Sequence, residues 1–265
     1  GVKLVAAWAS GNALTNPHTY SSGFGIQTAA VAMGGNPDVV NAETYDGSSW
    51  TEVANLSTGR MSLGGLGTSA AGLAAGGAVP GGVTGVSEEW NGTGWAESGD
   101  LNTARKEIHG GGIQTAGIVA GGQDTANVGV VETYDGASWT EIANINTTRA
   151  THGGTRNGTN TAYLIFGGNV SPKALAESWN GTSWTEVGDL NTARSITQGA
   201  GTSTAGICIS GNAPPATVNV EQYDGSSWTE VANVSSAGYL GGTCGTTAAA
   251  LFMGRVPAGT ATEEF

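Results

Sequence analysis

ETYDGSSWTEVANL, Glu43–Leu56, decides the fold, because the chain writes it four more times: EEWNGTGWAESGDL (Glu88–Leu101), ETYDGASWTEIANI (Glu132–Ile145), ESWNGTSWTEVGDL (Glu177–Leu190) and EQYDGSSWTEVANV (Glu221–Val234). The second aromatic falls at Trp50, Trp95, Trp139, Trp184 and Trp228, in steps of 45, 44, 45 and 44. Trp8 is a sixth member. An apolar residue, Leu14, follows it as Leu56 follows Trp50, and Gly34-Gly35 follows it as Gly76-Gly77 follows Trp50. At the other end Glu263-Glu264-Phe265 reopens the E-x-aromatic pattern and the chain stops, so the last repeat lacks what the first half-repeat supplies.

A period of about 44 residues signals a repeat architecture. Within the third repeat KEIHGGG, AGIVAGG, VVETYDG and SWTEIANI each read as a short strand bounded by Gly, Asp or Asn. Asp46-Gly47, Asn91-Gly92, Asp135-Gly136, Asn180-Gly181 and Asp224-Gly225 join the third strand to the fourth and supply the positive φ of a tight hairpin. Each repeat is therefore a four-stranded antiparallel sheet that cannot bury both faces alone. Residues 1–265 are expected to form one all-β domain, a six-bladed β-propeller. Its last blade is closed by the N- and C-terminal strands, the outer one beginning near Val2, which removes an open sheet edge.

Composition agrees with this. Gly is 46 of 265 residues and charged residues are 11%, which suits many short strands and turns rather than a Leu-rich helical core. A net charge of −12 repels a phosphate backbone and argues against nucleic acid as a partner. No apolar run reaches the roughly 18 residues of a membrane span, so no membrane insertion is expected. Cys208 and Cys244 are too few for a disulfide framework and lack zinc-site spacing, and read as small core residues.

Taken across the repeats, R-x-x-H, then an apolar strand ending in Gly-Gly, then E-x-Y-D and a Trp about five residues later resemble the kelch repeat, and the resemblance covers the whole chain; Arg149 and His152 match the first spacing, and Arg105 and His109 stand one residue further apart. The period is shorter than the usual ~50, most repeats lack the His, and Gly-Gly becomes Ser210-Gly211 and Gly254-Arg255. The repeats are also similar to kelch-like repeats of phage and marine bacterial surface proteins. Tyr-Asp-Gly in the repeats at 43, 132 and 221 alternates with Trp-Asn-Gly at 88 and 177, an ABABAB order that implies an ancestral two-blade unit.

Ten residues after each Trp stand His18, Arg60, Arg105, Arg149, Arg194 and Gly238. These five basic residues are the candidate ligand-binding set. At the start of each innermost strand, guanidinium groups could ring the channel mouth and take a carboxylate or sulfate of a glycan. The alternative is that each pairs with a repeat glutamate, Glu43, Glu88, Glu132, Glu177 or Glu221, and staples the blades. Among aromatics outside the register, Tyr20, Phe24, Tyr163, Phe166 and Tyr239 are candidates for a specific contact. With only His18, His109 and His152 available, nothing selects a nucleophile, and no closely spaced acidic series suggests a metal. The expectation is no catalytic residues, no metal and no cofactor.

Variation concentrates in the connections between the second and third strands, 36–42, 78–87, 123–130, 169–176 and 212–219, which read as loops on one face. The sequence thus points to a non-catalytic binding or structural module, not an enzyme. It would be extracellular or part of a virion (a phage tail, fibre or capsid decoration) or a cell surface, and would recognise a host-surface glycan or protein. Its partners would be other virion or surface proteins, with a homo-oligomer allowed. An intracellular kelch adaptor for protein–protein interaction and a carbohydrate-active propeller enzyme are the alternatives.

Overall fold

The computed structural model describes residues 7–169 and 171–265. They form twenty-four strands in six four-stranded antiparallel sheets, a six-bladed β-propeller. Blades I to V each run inner to outer strand in chain order, starting at Ser22–Ile26, Gly64–Thr68, His109–Ile113, Gly153–Gly154 and Gln198–Thr202. In blade VI, Gly242–Thr246 and Ala249–Met253 are followed by Thr262–Glu264, and Ala9–Ser10 adds the outer strand, with Ala9 opposite Glu264. The sheet therefore closes from both ends of the chain. The expected start of that strand near Val2 lies outside the described residues. Each innermost strand touches those of its two neighbours, and the sixth touches the first, which completes the ring.

The core is divided among the six interfaces between blades. Side chains of a strand alternate between faces, so in blade III Ile118 and Ala120 pack toward blade IV while Val119 packs toward blade II. The repeated aromatics sit opposite each other across the outer hairpin, Tyr134 against Trp139 with ring centres 5.0 Å apart, and Trp179 against Trp184 at 5.6 Å. Removing one such buried ring costs about 3–5 kcal/mol, so these pairs contribute heavily to interfaces that they share with buried Leu, Ile and Phe side chains.

The outer hairpin turn differs in detail from the expected tight turn. Four residues separate Tyr45 from its partner Trp50, and the Asp46 carboxylate accepts from the backbone N–H of Ser48 and Ser49, at 2.8 and 2.7 Å. Asn91 Oδ1 does the same for Thr93 and Gly94. Both side chains offer the same oxygen, which explains why Asp and Asn alternate at this position.

The alternation has a contact of its own. In Tyr blades I and III the hydroxyl reaches the preceding blade, Tyr134 Oη donating to Glu89 at 2.7 Å and Tyr45 to Glu264. In the Trp blades Nε1 instead donates to a turn carbonyl, Trp90 to Ser69 at 2.8 Å and Trp179 to Asn160 at 3.0 Å.

Two of the five expected loops are not loops. In blade II, Ala71–Val79 and Gly82–Trp90 form a nine-residue-per-strand hairpin, and in blade V, Ala205–Asn212 and Ala216–Tyr223 form a similar one. The register shifts between Ala75 and Gly77, and between Ile209 and Gly211. Such a bulge bends a strand and lets pairing continue. Val79-Pro80-Gly81-Gly82 supplies a turn with Pro in second place and Gly81 at a φ of 91°. Blades II and V are three steps apart in the ring, so the hairpins stand on opposite sides of the axis.

Candidate functional site: the axial cavity

The basic register is placed inside the blades. His18, Arg60, Arg105, Arg149 and Arg194 are each 0% exposed. Each faces the glutamate on the third strand of its own blade: Arg60 Nη2 lies 2.9 Å from Glu88 Oε1, His18 Nε2 lies 3.2 Å from Glu43 Oε1, and Arg105, Arg149 and Arg194 pair with Glu132, Glu177 and Glu221. The carboxylates also hold the incoming linker, accepting from the backbone N–H of Ser57, Asn102, Asn146 and Asn191 at 2.7 Å each. Arg149 further donates to Leu175 O at 2.8 Å and Arg194 to Asn219 O at 2.7 Å. Burial lowers the pKa of Arg60, Arg105 and Arg149, and the paired glutamate acts against that loss. These groups are turned to protein partners and present no face to solvent, with Arg60 Nε and Arg105 Nε and Nη2 left without a hydrogen-bond partner.

Blade VI carries Gly238 in the register, yet its Glu263 is paired, with Arg255 Nη2 at 2.7 Å. Arg255 occupies the position of the second glycine of Gly-Gly, on the neighbouring strand. A Cβ at Gly238 would fall on the Arg255 side chain. Two departures from the repeat are thus one exchange: the cation enters the same space from the adjacent strand.

Of the aromatics outside the register, Phe24, Tyr163 and Phe166 are fully buried between blades. Tyr20 stands at the mouth of the channel instead. There, Tyr20, Ser62, Glu107, Thr151, Ile196 and Leu240, one from each blade, all have a positive φ, between 53° and 60°. This left-handed conformation is costly for non-glycine residues, most of all for β-branched Thr151 and Ile196. Hydrogen bonds between blades offset it: the N–H of Ser62 donates to Tyr20 O and that of Glu107 to Ser62 O, both at 2.8 Å, Tyr20 to Leu240 O at 2.6 Å and Thr151 to Glu107 O at 3.3 Å. The expected first strand from Lys106 accordingly begins only at His109.

Below this rim is a cavity of about 50 Å³ on the propeller axis, lined by Tyr20, Glu107, His109, His152, Arg156 and Gln198 among others. Arg156 forms its floor. In the other blades the equivalent position is Gly25, Gly67, Gly112, Gly201 or Gly245, all with positive φ. Blade IV has two more residues between Arg149 and Gly167 than blade III has between Arg105 and Gly121. Its inner strand is correspondingly cut to Gly153–Gly154, which frees Arg156 from the ladder and sends its side chain across the channel. It is 3% exposed. Nε donates to Thr243 Oγ1 at 3.2 Å, and Nη1 to Ser22 Oγ at 3.3 Å and Gly65 O at 2.8 Å, so one guanidinium ties blade IV to blades I, II and VI.

Among the described residues no carboxylate lies within ion-pair distance of Arg156. Burial lowers its pKa to about 10, countered only by the weak acids Tyr163 and Cys244. His109 Nδ1 lies 3.3 Å from Tyr163 Oη, while His109 Nε2 and both nitrogens of His152 have no hydrogen-bond partner. Burial, with Arg156 nearby, holds His109 well below the usual imidazole range, and burial, with Arg149 nearby, lowers His152 to about 3. The cavity thus joins one unpaired cation to two neutral imidazoles, all able to donate hydrogen bonds. Sequence reasoning missed Arg156. The signal was present: an arginine where the other repeats have glycine, beside a two-residue insertion.

No protein-family model matches the chain, and no curated protein is similar to it in sequence. Solved structures are similar in fold. One, titled "Structure of YjhT", aligns with a TM-score of 0.77 over 95% of each chain at 10% identity, a likeness that carries the fold alone.

Proposed function

We propose that this propeller is a non-catalytic binding module of an extracellular assembly, a virion appendage or a cell-surface component, that recognises a glycan or protein on a host surface. The observation that carries the reading is the pair of hairpins raised on blades II and V, on the face where the axial cavity opens. The remainder of the ring is nearly copied, whereas these hairpins break both the sixfold repeat and the ABABAB order. Departures from a copied frame on exposed connections are where a recognition surface is built. Pro80, Gly81, Pro214 and Pro215 at the tips are exposed, and the two hairpins stand on opposite sides of the axis. The kelch-like repeat, the acidic surface with few lysines and the likeness to repeats of phage and marine bacterial surface proteins support an extracellular or virion setting.

A glycan array and intact bacterial cells, probed with the labelled protein and with a Pro80→Glu/Pro214→Glu variant, test this. Retention on a glycan or cell surface that falls in the variant at unchanged melting temperature is expected. Retention on neither overturns the reading, as does retention that the variant leaves unaltered.

A further inference from the structure

We propose that the axial cavity is a binding site for a small monoanionic carboxylate, held by Arg156 Nη2 with the imidazoles of His109 and His152. Six basic side chains, His18, Arg60, Arg105, Arg149, Arg194 and Arg255, each have a glutamate. Arg156 is as buried as they are and has none. A buried charge without a counterion is expensive, and an apolar side chain could block the channel more cheaply. A cation at this position therefore implies a negative charge that the chain does not itself supply.

The donors point the same way. Arg156 Nε and Nη1 are bound to three other blades, which fixes the guanidinium, and Nη2 makes no hydrogen bond to the described residues. His109 Nε2 and the His152 ring nitrogens are buried without partners, an arrangement that is rare unless a ligand or water completes it. All three side chains line the cavity. One fixed positive charge balances one negative charge, so a carboxylate suits the site, whereas a phosphate dianion would leave one charge unmatched. A volume of about 50 Å³ admits a carboxylate group and little more, so a larger ligand would insert only its acidic end. Glu107 at the rim opposes an anion, and burial raises its pKa, which lessens that opposition. The site does not depend on what the hairpins meet.

The test uses the intact protein. The Arg156 Nε–H resonance and the melting temperature are followed while sodium formate, acetate or phosphate is added at constant ionic strength and pH 7. The expected result is a saturable shift and a rise in melting temperature with formate and acetate, weaker with phosphate. Affinity should fall about tenfold or more in Arg156→Gln and rise in Glu107→Gln. The resonance reports on the site without any substitution, so poor folding of a variant does not spoil the test. A linear, non-saturating response equal for all three anions overturns the proposal, and so does saturable binding that Arg156→Gln retains in full.

Discussion

Arg255 and Gly238 have exchanged places relative to the other five blades: the cation that elsewhere extends from the start of the inner strand comes instead from the end of the next strand, and reaches the same glutamate. The buried ion pair is thus kept while its covalent origin moves. What the ring requires is a basic side chain beside each inward glutamate, and the backbone position that delivers it is secondary.

A double-mutant cycle exposes that exchange. Gly238→Arg alone overpacks the site and is expected to cost about 1–3 kcal/mol, and Arg255→Gly alone, which strands the buried Glu263, about 3–5 kcal/mol. The double variant restores the arrangement of the other blades and should recover most of both losses. Additive losses in urea unfolding would show that the two residues do not share one space.

The pair Arg149–Glu177 makes the complementary case. Arg149→Gln leaves Glu177 buried with its linker bonds but no cation, and is expected to lower stability by about 3–5 kcal/mol. Arg149→Gln with Glu177→Gln should be less harmful than the single change, because a neutral amide is cheaper to bury than an unpaired charge. Thermal melts of the two variants side by side provide the measurement.

Acid sensitivity should begin above the carboxylate range. His109 and His152 are held neutral in the fold below the ordinary value of 6.5, His152 to about 3. The unfolded chain therefore binds protons that the folded chain refuses, and stability falls as pH drops from 6.5, by up to about 1.4 kcal/mol per pH unit for each histidine. His152→Asn should remove about half of this slope between pH 6.5 and 5. Chemical denaturation across that interval measures it, and an unchanged slope would show that His152 takes up a proton within the folded protein.

At lower pH the hairpin turns contribute with the sign of a depressed acid. Bonds from the backbone N–H of Ser49 and from Ser48 hold Asp46 at about 2, and those from Ser227 and Ser226 hold Asp224 at about 2, below the ordinary 3.8. Their stabilisation is complete above 3.8 and is lost as pH falls toward 2. Asp46→Asn with Asp224→Asn, the residue that blades II and IV already use, should leave stability at pH 7 nearly unchanged and flatten the dependence between pH 4 and 2. Melting curves at these pH values would show it.

The repeat, its count and the closure of blade VI were legible in the chain because they rest on local rules: strand alternation, turn residues and a period too regular to be chance. The glutamate of each repeat and the basic residue of each register were visible too, but not their burial. Whether a guanidinium faces solvent or a carboxylate depends on how neighbouring linkers fold over it, and those contacts join residues about 30 positions apart. The hairpins on blades II and V were hidden for a related reason, since a bulge at Ala75/Gly77 changes which face each side chain takes. Arg156 shows the division most clearly. The sequence by itself determined that one blade carries an arginine and two extra residues where the others carry glycine; only the closed ring decided that this side chain meets three other blades on the axis, because the residues around it, Ser22, Gly65 and Thr243, come together only when all six blades are in place.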